Sequence, residues 1–144
     1  MTLFLINILP KQLRQFIQSV KYFTGLIIAC FIIATWAISL GLFVNINLPT
    51  TNILLIPILI IWQAFLFTGL FITAHDAMHG IVFPKNPKIN NFIGYLTVIF
   101  YAFFSYKKLL KRHWEHHNNP ASELDPDYHD GKHKNFLSWY LYFM

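Results

Sequence analysis

The sequence predicts an all-α membrane protein, and three observations carry that prediction. Hydrophobic residues make up 56% of the 144-residue chain and charged residues only 12%, whereas soluble domains carry about a quarter charged residues. Two uncharged runs are 21 and 22 residues long, which is long enough to cross a bilayer as a helix. Five of the seven histidines fall in two short clusters that each follow an apolar segment. We therefore expect two transmembrane helices in a hairpin, a short re-entrant or interfacial helix, cytoplasmic histidine-box helices, and the start of a third transmembrane helix.

The first two predicted elements are the membrane spans. Residues 24–44 are uncharged, and as a helix they reach about 32 Å, which matches a hydrocarbon core of about 30 Å. Residues 53–74 are also uncharged, with Pro57 near the start, where a helix tolerates proline best. The linker 45–52 is short and uncharged, so a tight hairpin is expected. The first run is too long for the apolar core of a cleaved signal peptide, so we expect it to be retained.

Basic residues set the expected orientation. Three of them precede the first span, six lie between residues 85 and 112, and none lies in the linker between the spans. By the positive-inside rule, the N-terminal arm 1–23 and everything after residue 75 face the cytoplasm. The net charge of +5 forms no basic stripe on a soluble face, so nucleic acid is not an expected partner. A lipid membrane is the expected environment.

Two shorter apolar segments follow the spans. Residues 92–104 number 13, too few to cross the membrane, and basic residues flank both ends, so we expect a re-entrant or interfacial segment. Polar residues dominate 105–135, and residues 136–144 then turn apolar over about half the length of a span. The sequence therefore ends where a third transmembrane helix is expected to begin, which suggests a truncated chain.

The histidine clusters have the spacing of metal-binding sites. His75 and His79 are an i, i+4 pair, which lies on one face if the second span continues as helix. His113, His116 and His117 likewise share one helical face. Because both clusters follow apolar segments on the same predicted membrane face, we expect one metal site; a polar patch without metal is the alternative for either cluster alone. Imidazole suits iron, copper, nickel and zinc, so the spacing leaves the metal open.

Carboxylates lie near both clusters. A ligating imidazole usually donates its second N–H to a carboxylate or carbonyl. The candidates for this orienting role are Asp76, Glu115, Asp125 and Asp127, with simple solvation as the alternative for each. The turn that begins at Asp125 ends in a sixth histidine, His129. Three roles stay open for it: a further metal ligand, a residue that contacts a ligand, or a loop histidine with no part in the site.

These motifs resemble those of a known family. An HxxxH box after the second span, followed by HxxHH, is the opening of the membrane fatty-acid desaturase and hydroxylase superfamily, and the finer match is to β-carotene ketolases. Three segments carry the resemblance: Phe67–Gly80 (FTGLFITAHDAMHG), Pro84–Gly94 (PKNPKINNFIG) and Lys111–Tyr128 (KRHWEHHNNPASELDPDY). It covers roughly residues 20–144. Ala121-Ser122 stand where the family commonly has Gly-Thr, and the sequence ends before the family's third histidine box.

The resemblance implies a partial desaturase-like domain over residues 1–144 with a non-haem diiron centre, held in part by the histidines named above. It implies an O2-dependent oxygenase that converts C4 of the β-ionone ring of β-carotene to a ketone, giving echinenone and canthaxanthin, with electrons from a donor such as ferredoxin. Without the third box, the isolated chain is expected to bind iron incompletely, which leaves its own activity open. Two other interpretations remain: a different membrane diiron lipid oxygenase, such as a fatty-acid desaturase or carotenoid hydroxylase, or a non-catalytic remnant.

Overall fold

The computed structural model describes residues 10–47, 53–129, 131–132 and 134–143. All regular secondary structure in those ranges is helical. The helices are α1 (Lys11–Val44), α2 (Leu55–Met78), α3 (Pro87–Ala102), α4 (Tyr106–Asn118) and α5 (Phe136–Phe143). This confirms the all-α fold class predicted from the sequence. The chain divides into two compact units, residues 1–103 with α1 to α3 and residues 104–144 with α4 and α5.

Two helices of the first unit are long and apolar enough to cross a membrane. The qualifying part of α1 is Tyr22–Val44, and the whole of α2, Leu55–Met78, also qualifies. Their outward faces carry exposed large apolar side chains such as Phe31, Ile38 and Phe65. An exposed apolar surface of this extent is typical of a protein that lies in a membrane. These two helices identify the chain as a membrane protein.

The helices extend beyond the apolar runs that predicted them. α1 begins at Lys11, directly after Pro10 at its N-cap, and so includes much of the predicted N-terminal arm. The helix can extend this far because no proline or glycine lies between residues 11 and 24. α2 continues beyond residue 74 as far as Met78. Of the predicted linker 45–52, the part from 48 to 52 lies outside the described residues.

An aromatic cluster holds the three helices of the first unit together. The Trp36 ring of α1 stacks on the Phe100 ring of α3, with 5.0 Å between centroids, and meets Phe67 of α2 edge-on at 5.8 Å. Leu66 and Leu70 of α2 are buried in the same cluster. Since all three helices contribute to this core, α3 packs against both spans.

A close approach joins α1 to the loop that follows α2. A Cβ atom on Gly25 would lie only 2.6 Å from the carbonyl oxygen of Val82, so only glycine fits at this position. Nearby, the Lys85 ammonium lies 4.5 Å from the centroid of the Tyr22 ring, a cation–π contact. These contacts hold the loop beside the N-terminal half of α1.

The third helix has defined ends. Asn86 is its N-cap, and the Asn86 side-chain oxygen accepts the N–H groups of Lys88 at 3.0 Å and Ile89 at 3.2 Å. Pro87 occupies the first helical position, where its missing N–H costs nothing. The helix ends at Phe103, whose φ of 57° lies in the left-handed region. Loss of helical φ at this residue stops the chain of hydrogen bonds.

Candidate metal centre

The end of α2 brings the first histidine pair together. His75 lies in the last turn of α2, and His79 is its C-cap. The His79 N–H donates to the His75 carbonyl at 3.2 Å, and the two ring centroids are 4.7 Å apart. The two imidazoles therefore lie side by side on one side of the helix end.

Gly80 ends the helix and so determines the backbone position of His79. Gly80 has a φ of 73°, and its N–H donates to the Ala77 carbonyl at 3.0 Å. The Ile81 N–H donates to the Asp76 carbonyl at 3.1 Å. These two bonds around a left-handed glycine form a Schellman motif, a common C-terminal helix cap. The glycine directly after the HDAMH sequence is the signal from which this cap was predictable.

Asp76 lies beside the first pair but faces a cleft. Its Oδ1 is 3.7 Å from His75 Nδ1, too far for a hydrogen bond between those two atoms. The carboxylate lines a cleft of about 330 Å³ between α1, α2 and the following loop. Most of the other lining residues are apolar, among them Gly25, Ala29, Ile32, Ile72 and Val82.

The second histidine box lies on α4, in the second unit. The His113 and His117 rings, one helical turn apart, have centroids separated by 4.5 Å. The Trp114 ring lies beside both, at 5.9 Å from His113 and 5.7 Å from His117. This second imidazole pair has nearly the same ring separation as the pair at the end of α2.

His116 faces the acidic turn that follows α4. Its Nδ1 lies 2.9 Å and 3.1 Å from the two carboxylate oxygens of Asp125, and 3.5 Å from Asp127 Oδ2. The buried Asp125 carboxylate also accepts the Ala121 N–H and the Asp127 N–H, each at 2.8 Å. The backbone of the turn therefore fixes the Asp125 carboxylate, which in turn fixes the imidazole of His116.

This arrangement shifts the pKa values of both partners. The hydrogen bond to Asp125 raises the pKa of His116 above its ordinary 6.5 by more than burial lowers it, and the charges of Asp125 and Asp127 raise the pKa a little further. Burial alone would raise the pKa of Asp125. Hydrogen bonds from the Asp127 N–H, from His116 and from the Ala121 N–H outweigh burial and lower the pKa of Asp125.

Two other predicted site residues make different contacts. The Glu115 carboxylate lies 3.5 Å from the Lys111 ammonium, one helical turn away. His129 Nδ1 accepts the Gly131 N–H at 3.1 Å, and its ring stacks on Trp139 at 6.3 Å between centroids. With Nδ1 engaged as an acceptor, the proton of the neutral His129 ring lies on Nε2.

The side chains present fit a histidine-bound metal such as iron. Each unit holds one imidazole pair with the ring spacing given above. His116 Nδ1 lies within hydrogen-bond distance of a carboxylate, and a histidine that binds a metal through one ring nitrogen usually has such a partner at the other. Imidazole is a suitable ligand for iron. Cys30 is the single cysteine of the chain, so thiolates do not form a competing site.

Sequence reasoning missed one buried polar residue beside this site. Asn90 of α3 is 2% exposed and bonds both the end of α2 and the loop after it. In the sequence it is one of two adjacent asparagines in a polar stretch. Only the packing of α3 against α2 distinguishes Asn90 from its neighbour.

Comparisons with known proteins add a family to this geometry. The fatty acid desaturase family model matches residues 50–144. Zeaxanthin 4-ketolase from Chlamydomonas reinhardtii is 38% identical over 115 residues, which are 79% of this chain and 26% of that protein. Beta-carotene 4-ketolase from Protosiphon botryoides is 38% identical over 139 residues, and the match covers 83% of this chain and 35% of that protein. Beta-carotene ketolase from Haematococcus lacustris is 35% identical over 143 residues, and the match covers 83% of this chain and 44% of that protein. The chain thus spans less than half the length of each of these relatives, and no solved structure matches it.

Proposed function

This chain belongs to the fatty acid desaturase family, and on that premise we propose that it is a segment of a carotenoid 4-ketolase. The observation that carries the proposal is the similarity to ketolases over about four-fifths of the chain. The reaction would replace the two hydrogens at C4 of a β-ionone ring by a keto oxygen. Per ring it would consume two O2, four electrons and four protons and release three waters, the electrons coming from a donor such as ferredoxin. β-Carotene would become echinenone and then canthaxanthin.

We propose non-haem iron as the metal, in a diiron centre. The proposed ligands are His75, His79, His113, His116 and His117, with His129 as a sixth candidate. Support comes from the two close imidazole pairs and from the family. Bound iron would supply the activation of O2 and the removal of an allylic hydrogen, chemistry that belongs to the cofactor.

The acidic residues have the proposed task of orienting these ligands. Asp125 accepts the Nδ1–H of His116, which fixes the tautomer that leaves Nε2 for the metal. Asp127 adds a second carboxylate at 3.5 Å. Asp76, at 3.7 Å from His75 Nδ1, would act on that imidazole through its charge. Glu115, which contacts Lys111, would act on the neighbouring histidines only through its charge.

The membrane explains how such a substrate would arrive. A carotenoid is dissolved in lipid, and the cleft beside Asp76 has mostly apolar walls, formed by the two long apolar helices and the loop after the second. A hydrocarbon can enter such a cleft without passing through water. The distribution of lysine and arginine supports a cytoplasmic location for the N-terminus and both histidine boxes.

A chimera tests the proposal. Residues 20–144 replace the matching segment of the Haematococcus lacustris beta-carotene ketolase, and the chimera is expressed in cells that accumulate β-carotene. We expect echinenone and canthaxanthin, and no ketocarotenoid from the same chimera with His79→Ala. Products hydroxylated only at C3, or desaturated, would instead identify another lipid oxygenase. A membrane-inserted chimera that binds no iron and leaves β-carotene unchanged would favour the non-catalytic interpretation.

A further inference from the structure

Asn90 joins two segments of the first unit through one side chain. It lies in the first turn of α3 and is 2% exposed. Its Nδ2 donates to the Ala77 carbonyl at 2.8 Å, in the last turn of α2. Its Oδ1 accepts the Phe83 N–H at 3.2 Å, in the loop between α2 and α3. The carboxamide therefore ties the end of α2 to the loop that leaves it.

The carbonyl that Asn90 contacts belongs to the cap that holds His79. Ala77 O already accepts the Gly80 N–H at 3.0 Å in the Schellman motif. A carbonyl oxygen has two lone pairs, and Asn90 uses the second. His79 lies between these two residues of the cap, so a shift of the Ala77 peptide moves the backbone that carries the His79 imidazole.

Few side chains can replace Asn90 here. The position requires a donor and an acceptor at short reach in a buried place, which a carboxamide supplies. An aspartate keeps the acceptor but, when ionised, has no donor for Ala77. A leucine has similar size and offers neither. Its neighbour Asn91 is exposed, and Asn91 Oδ1 receives only a long contact of 3.4 Å from Asn90 Nδ2.

We propose that Asn90 is a positioning residue for the first histidine pair. It holds the last turn of α2 so that the His79 imidazole stays beside that of His75, and it thereby sets the metal affinity of that pair. Asn90 itself contacts neither metal nor substrate. The inference rests on the proposed metal role of His75 and His79.

Cobalt(II) titration of the 144-residue chain in lipid nanodiscs tests the inference without turnover. The visible absorption of bound Co²⁺ reports both affinity and ligand geometry. Asn90→Leu removes both hydrogen bonds, and Asn90→Asp removes only the donor to Ala77. Partners that orient a ligand typically change metal affinity by about 10–100-fold. We therefore expect both variants to weaken Co²⁺ binding at least about tenfold and to alter the spectrum.

Two control variants separate positioning from general stability. Asn91→Leu makes the same substitution at the exposed neighbour and is expected to leave Co²⁺ binding unchanged. Asn86→Ala removes the N-cap of the same helix; it is expected to lower the melting temperature, yet to leave Co²⁺ affinity unchanged below that temperature.

The possible outcomes are distinct. Helical Asn90 variants that bind Co²⁺ with wild-type affinity and spectrum would overturn the positioning role. If Asn90→Leu fails to fold, Asn90→Asp decides, because it keeps the bond to Phe83. A wild-type spectrum that does not change with His79→Ala would instead contradict the proposed metal role of the pair.

Discussion

The histidines differ at the residue scale in what their Nδ1 atoms contact. His116 Nδ1 lies 2.9 Å from the buried carboxylate of Asp125, whereas His129 Nδ1 accepts a backbone N–H from Gly131. A carboxylate partner favours the protonated ring and, with a metal bound, fixes the nitrogen that ligates. A backbone donor makes Nδ1 an acceptor, so the proton of a neutral His129 ring lies on Nε2. For His129 to ligate, that proton must leave or the bond to Gly131 must break.

Asp125→Asn is expected to lower the pKa of His116 towards its ordinary value of about 6.5. The substitution removes the charge and the strongest acceptor that favour the imidazolium. Because the folded-state pKa of His116 is raised, the pair stabilises the metal-free chain below the ordinary histidine pKa, and this contribution is lost as pH rises through the raised value. NMR titration of the histidine-labelled, metal-free chain measures the shift.

Glu123→Gln is the matched control for that titration. Glu123 is an exposed acid in the same segment, and its substitution is expected to leave the His116 titration unchanged. An identical His116 pKa in wild type and Asp125→Asn would show that the pair does not form in solution.

Ala121 shows which part of this residue-scale picture the sequence could predict. The presence of acids near His116 was predictable, but their pairing depends on a turn that folds back onto α4. Ala121 has a φ of 56° in that turn, a region that glycine adopts readily and that strains other residues. Glycine is the residue that the family resemblance led us to expect at this position. From the sequence, the change from glycine to alanine was a small change in side-chain size. In the structure it also matters for the backbone, because Ala121 must adopt a positive φ.

At the element scale, α2 connects the membrane to the candidate site. Hydropathy ended the second span at residue 74, because His75 and Asp76 are polar. The helix nevertheless continues to Met78, since polar side chains do not end a helix and the left-handed Gly80 does. The same reasoning applies to α3: its apolar run predicted residues 92–104, but Asn86 and Pro87 begin the helix earlier.

Gly80→Ala and Gly41→Ala are expected to have opposite effects on stability. At Gly80 an alanine must adopt a φ of 73°, which costs about 1–2 kcal/mol for an L-residue. Gly41 lies inside α1, and a Cβ atom there would meet no other heavy atom within 4 Å, so alanine gains about 1 kcal/mol of helix propensity. Thermal unfolding followed by circular dichroism in the same detergent measures both.

Hydrogen exchange adds a local readout for this pair of variants. The amide of Ile81, which donates to the Asp76 carbonyl, should exchange faster in Gly80→Ala and at the wild-type rate in Gly41→Ala. A Gly80→Ala chain as stable as wild type, with unchanged Ile81 exchange, would contradict the cap described for α2.

At the scale of the whole molecule, composition predicted the environment but not the packing. Low charge and two long apolar runs correctly indicated a membrane protein. This prediction does not depend on which helix packs against which. The stacking of Trp36 on Phe100 joins residues far apart in the chain and has no local signal. The close approach at Gly25 to the Val82 carbonyl is equally invisible, since a glycine in an apolar run looks the same whether it packs or not.

The orientation of the chain in the membrane is tested by cysteine labelling. With Cys30→Ser as background, Asn47→Cys places a thiol between the spans and Lys88→Cys places one after the second span. The positive-inside rule predicts that an impermeant maleimide labels the Asn47→Cys variant in intact cells. The Lys88→Cys variant should react only after permeabilisation, and the reverse pattern would invert the proposed topology.

The central claim is that the histidine boxes of this chain bind iron, and metal analysis tests it most directly. The purified chain in nanodiscs is loaded with Fe²⁺ without oxygen, desalted, and its iron content per chain is measured. We predict that the wild-type chain retains iron, that His79→Ala and His117→Ala each remove most of it, and that His129→Ala decides whether the sixth histidine belongs to the set. Iron retained equally by the wild-type chain and by a chain carrying both His79→Ala and His117→Ala would contradict the account.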